Sequence, residues 1–194
     1  VRPATEQFMQ ALRLTCTEHG ALLVIDEVQT GFGRTGRLFA FEHHSVTPDI
    51  LTLAKSVAGG LPMGVTAFGD TVGQLAKQSH TSTFGGNPLA CAVAERVIAH
   101  IVAADLATHA AAHGRLLMNA IRGLSKPQVR EVRGLGLMIG IELKQPAGKI
   151  VRNLMDEGIL ALLAGPKVIR LLPPLVIEVS DIDQIANAFD KVLT

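Results

Sequence analysis

Two short apolar runs, each cut off by a charged residue, constrain this chain more than any other feature. Ala21-Leu22-Leu23-Val24-Ile25 ends in Asp26-Glu27, and Ile50-Leu51-Thr52-Leu53-Ala54 ends in Lys55. The second run is bounded by Pro48 and by Gly59-Gly60, which reads as a buried strand with a tight exit. Around the two runs the pattern predicts a helix over 5–19, strands over 21–26, 49–54 and 64–69, a small helix near 70–77 and a long helix over 87–103. Helices alternating with apolar strands argue for an α/β layer whose sheet is covered on both faces. Open sheets of this kind take ligands at the C-terminal ends of their strands, so Asp26 and Lys55 are the first candidates for chemistry.

From residue 105 the character changes. Asp105 to Arg122 is Ala-rich and predicts a connecting helix, broken at Lys126-Pro127. Arg133-Gly134-Leu135-Gly136-Leu137-Met138-Ile139-Gly140-Ile141-Glu142-Leu143 predicts two strands around a bend. A helix over 147–157, short strands over 159–163 and 168–171, and a last helix from Ser180 follow. For that last helix, Ser180 with Asp183 three residues on reads as the N-cap. The expected organisation is therefore an α/β part over 1–104 and a small α+β domain over 105–194.

Bulk properties exclude several function classes. A net charge of +1 gives no reason to invoke nucleic acid or an acidic surface, and no apolar stretch is long enough to span a bilayer. Cys16 and Cys91 lack metal-ligand spacing and fall in predicted helices, which suits free thiols in a reducing cytoplasm. His43 and His44 are adjacent, so their side chains point apart and a metal site is not expected. Gly134 and Gly136 lack the strand–turn–helix setting of a nucleotide fingerprint.

A lysine and a carboxylate at two strand ends suit one task well. The amine forms a Schiff base with pyridoxal phosphate, and the carboxylate keeps the pyridine nitrogen protonated. Taken singly, a lysine after a strand is more often a solvated loop residue, and Asp26-Glu27 is a common turn or helix opening. The combination is more specific. Asp26-Glu27-Val28-Gln29-Thr30-Gly31-Phe32-Gly33-Arg34-Thr35-Gly36, then Pro48-Asp49 through Lys55, then Thr83-Phe84-Gly85-Gly86-Asn87-Pro88-Leu89-Ala90 occur in that order. The series resembles the class III aminotransferases of the ornithine/acetylornithine type, which use pyridoxal phosphate on the fold type I scaffold. The resemblance runs along essentially the whole chain.

The resemblance implies roles for six residues. Asp26 holds the pyridine nitrogen, and Gln29 donates a hydrogen bond to the cofactor's phenolic oxygen without adding charge. Lys55 anchors the cofactor and then moves a proton between substrate and cofactor carbons. That second job calls for a neutral amine, which burial beside a cationic ring would favour. Thr83 reaches the cofactor phosphate of a neighbouring subunit, and Ser82 touches substrate. Pro88 in the first turn of the following helix suits an anion-binding N-terminus there. Arg170, in Val168-Ile169-Arg170-Leu171, grips the substrate α-carboxylate through paired hydrogen bonds, its rival role being a structural salt bridge. Gly31, Gly33 and Gly36 give their turn backbone freedom, and Arg34 caps it.

The implied fold is the C-terminal half of a fold type I transferase, part of its large α/β domain plus the small α+β domain. Val1 is not an initiator methionine, and the chain enters directly into a helical stretch. A fragment or one partner of a split enzyme is therefore expected. The implied activity moves a terminal amino group from acetylornithine, or from ornithine or lysine linked to an acidic carrier protein, to 2-oxoglutarate. That reaction belongs to arginine and lysine biosynthesis, in a cytoplasmic homodimer with no nucleic-acid or membrane partner. A 4-aminobutyrate-type aminotransferase is the nearest rival enzyme, and a non-catalytic half that needs a separate N-terminal partner is the rival of another class.

Overall fold

Thr5 opens the first helix, α1 (Glu6–Glu18), its hydroxyl accepting the Phe8 N–H at 3.2 Å. The apolar stripe of α1, with Met9, Leu12 and Cys16, packs on Leu23, Ile25 and Val46. Three short strands follow: β1 (Val24–Asp26), β2 (Ile50–Leu53) and β3 (Val65–Phe68). In this computed structural model, which describes residues 1–77, 79 and 81–193, they form one sheet in the order β1-β2-β3. β1 and β2 are parallel with Asp26 opposite Thr52, and β3 is antiparallel to β2. Asp49 ties the bases of these elements together. Its Oδ2 accepts from Arg13 Nη1 and from the Leu23 N–H, both at 2.7 Å, and its Oδ1 accepts from the Thr71 hydroxyl at 2.8 Å. The Arg13 guanidinium above all, then the Leu23 amide and the Thr71 hydroxyl, hold the Asp49 carboxyl down to about 2.

The long helix α2 (Pro88–Ala103) starts where the sequence places it. Asn87 caps it by accepting the Ala90 N–H at 3.1 Å, and Pro88 supplies the pre-set first turn. The small helix expected near 70–77 is a single 3-10 turn, Asp70–Val72, stopped by Gly73 at a positive φ of 72°. Within this unit the two faces of the sheet differ in exposure. Leu51 and Leu53 are buried, yet Val24 is 53% exposed and Phe68 45%. Pairing puts Val24, Ile50 and Phe68 in one cross-strand row, and it is that face that is open. These elements, residues Ala4–Phe32 and Arg37–Asp105, make one compact unit.

Val1–Pro3, Gly33–Gly36 and Leu106–Thr194 make the other. It holds α3 (Leu106–Gly123), β4 (Val129–Leu135), β5 (Met138–Leu143), α4 (Gly148–Asp156), β6 (Leu162–Leu163), β7 (Val168–Leu171) and α5 (Val179–Val192). All its strand pairs are antiparallel, in the order β4-β5-β7-β6. Leu117 and Ile121 of α3, Ile139 and Ile141 of β5, Ile169 of β7 and Phe189 of α5 share one core with 0–1% exposure. Close approach requires glycine at two points. A Cβ on Gly114 would lie 1.9 Å from the Gly136 carbonyl oxygen, and one on Gly136 would lie 2.4 Å from the Thr35 carbonyl carbon.

The cap of α5 corrects the sequence reading. Glu178, not Ser180, is the N-cap, and the acid three residues on is Asp181, not Asp183. Asp181 Oδ2 accepts the Glu178 N–H at 2.9 Å while the Glu178 carboxyl accepts the amide of Asp181, a reciprocal capping box. A glutamate can serve as the cap because its carboxyl folds back onto the N3 amide, and Ser180 then falls inside the first turn.

Candidate active site

Parallel pairing of β1 with β2 brings Asp26 and Lys55 to the C-terminal ends of adjacent strands. Asp26 is the last residue of β1 and stands opposite Thr52, three residues before Lys55. Strand alternation turns Asp26 outward and Glu27 inward: Asp26 is exposed, and Glu27 is 1% exposed. Asp26 Oδ1 accepts the Val28 N–H at 2.8 Å, which orients the carboxylate at the end of its strand. Gln29 lies half-buried in the turn that follows.

Lys55 lies just past its strand, as the predicted bounds of 49–54 place it. β2 ends at Leu53, and Lys55 opens a 3-10 turn over Lys55–Ala58 with a φ of 50°. The left-handed region costs a non-glycine residue about 1–3 kcal/mol, and it persists where the surroundings over-determine the backbone. The next residues do so here. Val57 and Ala58 are 2% and 0% exposed, and Gly59 lies against α2, where a Cβ would meet Val97 Cγ2 at 3.0 Å. The strain sits at the residue the sequence marks for chemistry. Within this chain the Lys55 side chain is exposed, while Val57 and Ala58 of the same 3-10 turn are buried.

Ser82 and Thr83 are both exposed in the segment that leads into α2. That segment turns tightly, with Gly86 at a φ of 68° and a Cβ on Gly85 reaching 2.9 Å from Ser82 Cβ. Phe84 is 84% exposed beside Thr83. Asp26, Gln29, Lys55, Ser82 and Thr83 thus belong to one unit, and Arg170 belongs to the other. Arg170 is half-buried on β7, opposite Gly140 of β5. Its strand neighbours Ile169 and Leu171 point into the core, so Arg170 lies on the sheet's other face, where a Cβ on Gly140 would meet Val1 Cβ at 2.9 Å.

Two residues took on work the sequence did not announce. Arg34 does not cap its own turn; Nη1 donates to the carbonyl oxygen of Pro173 and, at 3.4 Å, to that of Leu137. Burial pushes its guanidinium below the usual arginine range. On the β4–β5 surface, Arg133 Nη1 donates to Glu142 Oε2 at 2.7 Å and Glu131 Oε2 at 2.6 Å. The hydrogen bond from Arg133 holds the Glu142 carboxyl below the usual range. The alternation of β5 could have flagged Glu142 as an acid in an otherwise buried strand. Nothing local marked the reach of Arg34 across more than a hundred residues.

With this geometry in place, comparison with known proteins gives the lineage. The family described as aminotransferase class-III matches residues 1–193. This chain belongs to the class-III aminotransferases. It is 45% identical, over its whole length, to the [LysW]-aminoadipate semialdehyde transaminase of Deinococcus radiodurans, covering 46% of that protein. The acetylornithine aminotransferase of Gloeobacter violaceus is 45% identical over 95% of the chain and 47% of that protein. Among solved structures, the ornithine aminotransferase of Toxoplasma gondii superimposes with a TM-score of 0.91 at 34% identity, covering 97% of this chain and 47% of that one. The acetylornithine aminotransferase of Elizabethkingia anophelis gives 0.90 at 33% identity, covering 97% and 52%. The fold is that of the class-III transaminases, the expected fold type I with its larger α/β part and smaller α+β part. The chain spans about half the length of the curated relatives it matches.

Proposed function

We propose that this chain carries the catalytic lysine of a pyridoxal-phosphate-dependent aminotransferase. The observation that carries the reading is the pairing of Asp26 and Lys55 at the ends of adjacent parallel strands, one an exposed carboxylate and the other an exposed amine on strained backbone. This donor set fits pyridoxal phosphate: an acid for the pyridine nitrogen, an amine for the aldehyde and a hydroxyl-bearing turn for a phosphate. When bound, the cofactor supplies an electron sink for the bond broken at the substrate carbon.

The chain's own residues do the rest. Asp26 holds a proton on the ring nitrogen by charge, and Gln29 donates to the ring oxygen. Lys55 Nζ would hold the cofactor at its aldehyde and, as a free amine, would take and return the substrate proton. Thr83 donates to the phosphate of a neighbouring subunit, which makes a homodimer the working form. Ser82 contacts substrate, and Arg170 takes a carboxylate through its planar fork. The amino donor is acetylornithine or a carrier-linked ornithine or lysine derivative, and 2-oxoglutarate is the acceptor, in arginine or lysine biosynthesis. The relatives named above support this donor class. Among the described residues no helix is long and apolar enough to cross a membrane.

The test uses the protein expressed from its full reading frame, loaded with pyridoxal phosphate, reduced with borohydride and peptide-mapped. Label on Lys55, lost in Lys55→Ala, is the expected result. Donors are then screened, with N-acetylornithine, carrier-linked substrate and 4-aminobutyrate as the choices. Label spread over other lysines and unchanged in Lys55→Ala overturns the reading.

A further inference from the structure

The proposed machinery uses Asp26 and leaves its neighbour unexplained. Glu27 is the largest charged side chain to be fully buried, at 1% exposure, and its carboxyl accepts two hydrogen bonds from one loop. Thr30 Oγ1 donates to Oε2 at 2.5 Å, and the Phe41 N–H donates to Oε1 at 2.9 Å. The Glu27 main chain is equally engaged. Its N–H donates to the Thr52 carbonyl at 2.9 Å, and its carbonyl accepts the Gly31 N–H at 3.0 Å. Four bonds from this one residue, just past the end of β1, thus reach the turn carrying Gln29 twice, the point where the loop returns at Phe41, and Thr52 in β2 ahead of Lys55.

Packing closes the same loop. Phe32 and Phe39 meet edge to face with centroids 5.8 Å apart, and Phe39 stacks on Phe41 at 5.7 Å. A Cβ on Gly31 would lie 3.0 Å from the Glu27 carbonyl oxygen and 3.2 Å from Leu53 Cδ2, so the turn sits tightly on both strand ends. A buried carboxyl is costly unless hydrogen-bonded. Both of its donors, Thr30 and Phe41, lie in the loop. Removing the carboxyl leaves the loop's return at Phe41 without its partner and frees the segment that holds Asp26 and Gln29.

We infer that Glu27 is a positioning residue, the buried clamp that sets Asp26, Gln29 and Lys55 relative to one another; the inference rests on the cofactor reading above. It touches neither substrate nor cofactor. Its effect passes through the end of β1 and the 27–41 loop, and misplacement of a reacting group by about 1 Å costs on the order of 100-fold.

The experiment compares wild type with Glu27→Ala, Glu27→Gln and Thr30→Val in the full-reading-frame protein, with folding checked by circular dichroism. Two quantities are read: affinity for pyridoxal phosphate by absorbance, and hydrogen exchange at the Gly31 and Phe41 amides. Glu27→Ala is expected to lose exchange protection at both amides and to bind pyridoxal phosphate more weakly, by about tenfold or more. Glu27→Gln keeps an acceptor for Phe41 and a partner for Thr30, and is expected to recover to within about threefold of wild type. Thr30→Val, which keeps the Phe41 bond, is expected to fall about tenfold and serves where Glu27→Ala does not fold. Unchanged protection at both amides in Glu27→Ala, or at Gly31 in Thr30→Val, overturns the clamp. Lost protection with unchanged affinity overturns positioning and leaves Glu27 a purely structural acid. Wild-type label away from Lys55 overturns the cofactor reading instead, and the exchange data still decide whether Glu27 holds the loop.

Discussion

The two units of this chain treat their sheets differently. The four-stranded antiparallel sheet buries five of the six residues of β5 and shares one core with α3 and α5. The three-stranded sheet buries no residue of β1 or β3, and in β2 only Leu51 and Leu53 are buried. Apolar burial contributes about 25 cal/mol per Å², so the first unit holds most of its stability in packing. The second relies more on polar ties, the Asp49 cluster at one end of the strands and the Glu27 clamp at the other. Within this chain the residues proposed for catalysis, Arg170 apart, belong to the unit with the smaller buried core and lie beside these polar ties. Loosely packed regions open locally more easily than cores, and functional segments are often drawn from them.

That contrast can be broken at its strongest point. Phe189 is 0% exposed at the centre of the large core, and Phe189→Ala is expected to cost about 3–5 kcal/mol in urea unfolding. In the thinner unit, Leu53 is 7% exposed at the end of β2, and Leu53→Ala is expected to cost about 2–3 kcal/mol by the same measurement. A larger loss at Leu53 than at Phe189 would invert the comparison.

Polar ties carry a pH signature. The folded carboxyl of Asp49 is held down to about 2, below the unfolded value of about 3.9. Its contribution is therefore fully present above about pH 4 and is lost as pH falls toward 2. Glu142 shifts in the same direction on the other sheet. Thermal scans across that window should show acid destabilisation that flattens in Asp49→Asn. An unchanged acid limb in that variant would move the polar tie elsewhere.

The smallest effect is expected at the open face. Phe68 is 45% exposed, and Phe68→Ser should change folding stability by no more than about 0.5 kcal/mol. It should, however, reduce self-association, read by sedimentation, because an exposed apolar row invites contact. A marked loss of folding stability would mean that this face is covered within the folded chain.

Helix and strand positions were legible because they follow local periodicity and capping chemistry. Asn87-Pro88 marked the start of α2, and the glycine-broken run marked the β4–β5 bend. Asp26 and Lys55 were legible for the same reason: each interrupts an apolar run at its C-terminal end. The Ser180 reading failed because serine is only one of several caps, and Glu178 made a reciprocal pair with Asp181. The positive φ of Lys55 was not legible, because an apolar run places the end of a strand but does not disclose the backbone conformation beyond it.

What the sequence determined by itself was therefore what chain-local forces decide: the alternation of elements, their approximate bounds, and the charged residues at strand ends. The tertiary structure alone decided which strand ends became neighbours, through the parallel register that sets Asp26 opposite Thr52. It also decided that Glu27 turned inward to close the 27–41 loop, and that Arg34 reached the carbonyls of Leu137 and Pro173. Those outcomes depend on contacts between residues distant in sequence, whose partners are chosen by packing and hydrogen-bond satisfaction rather than by local propensity.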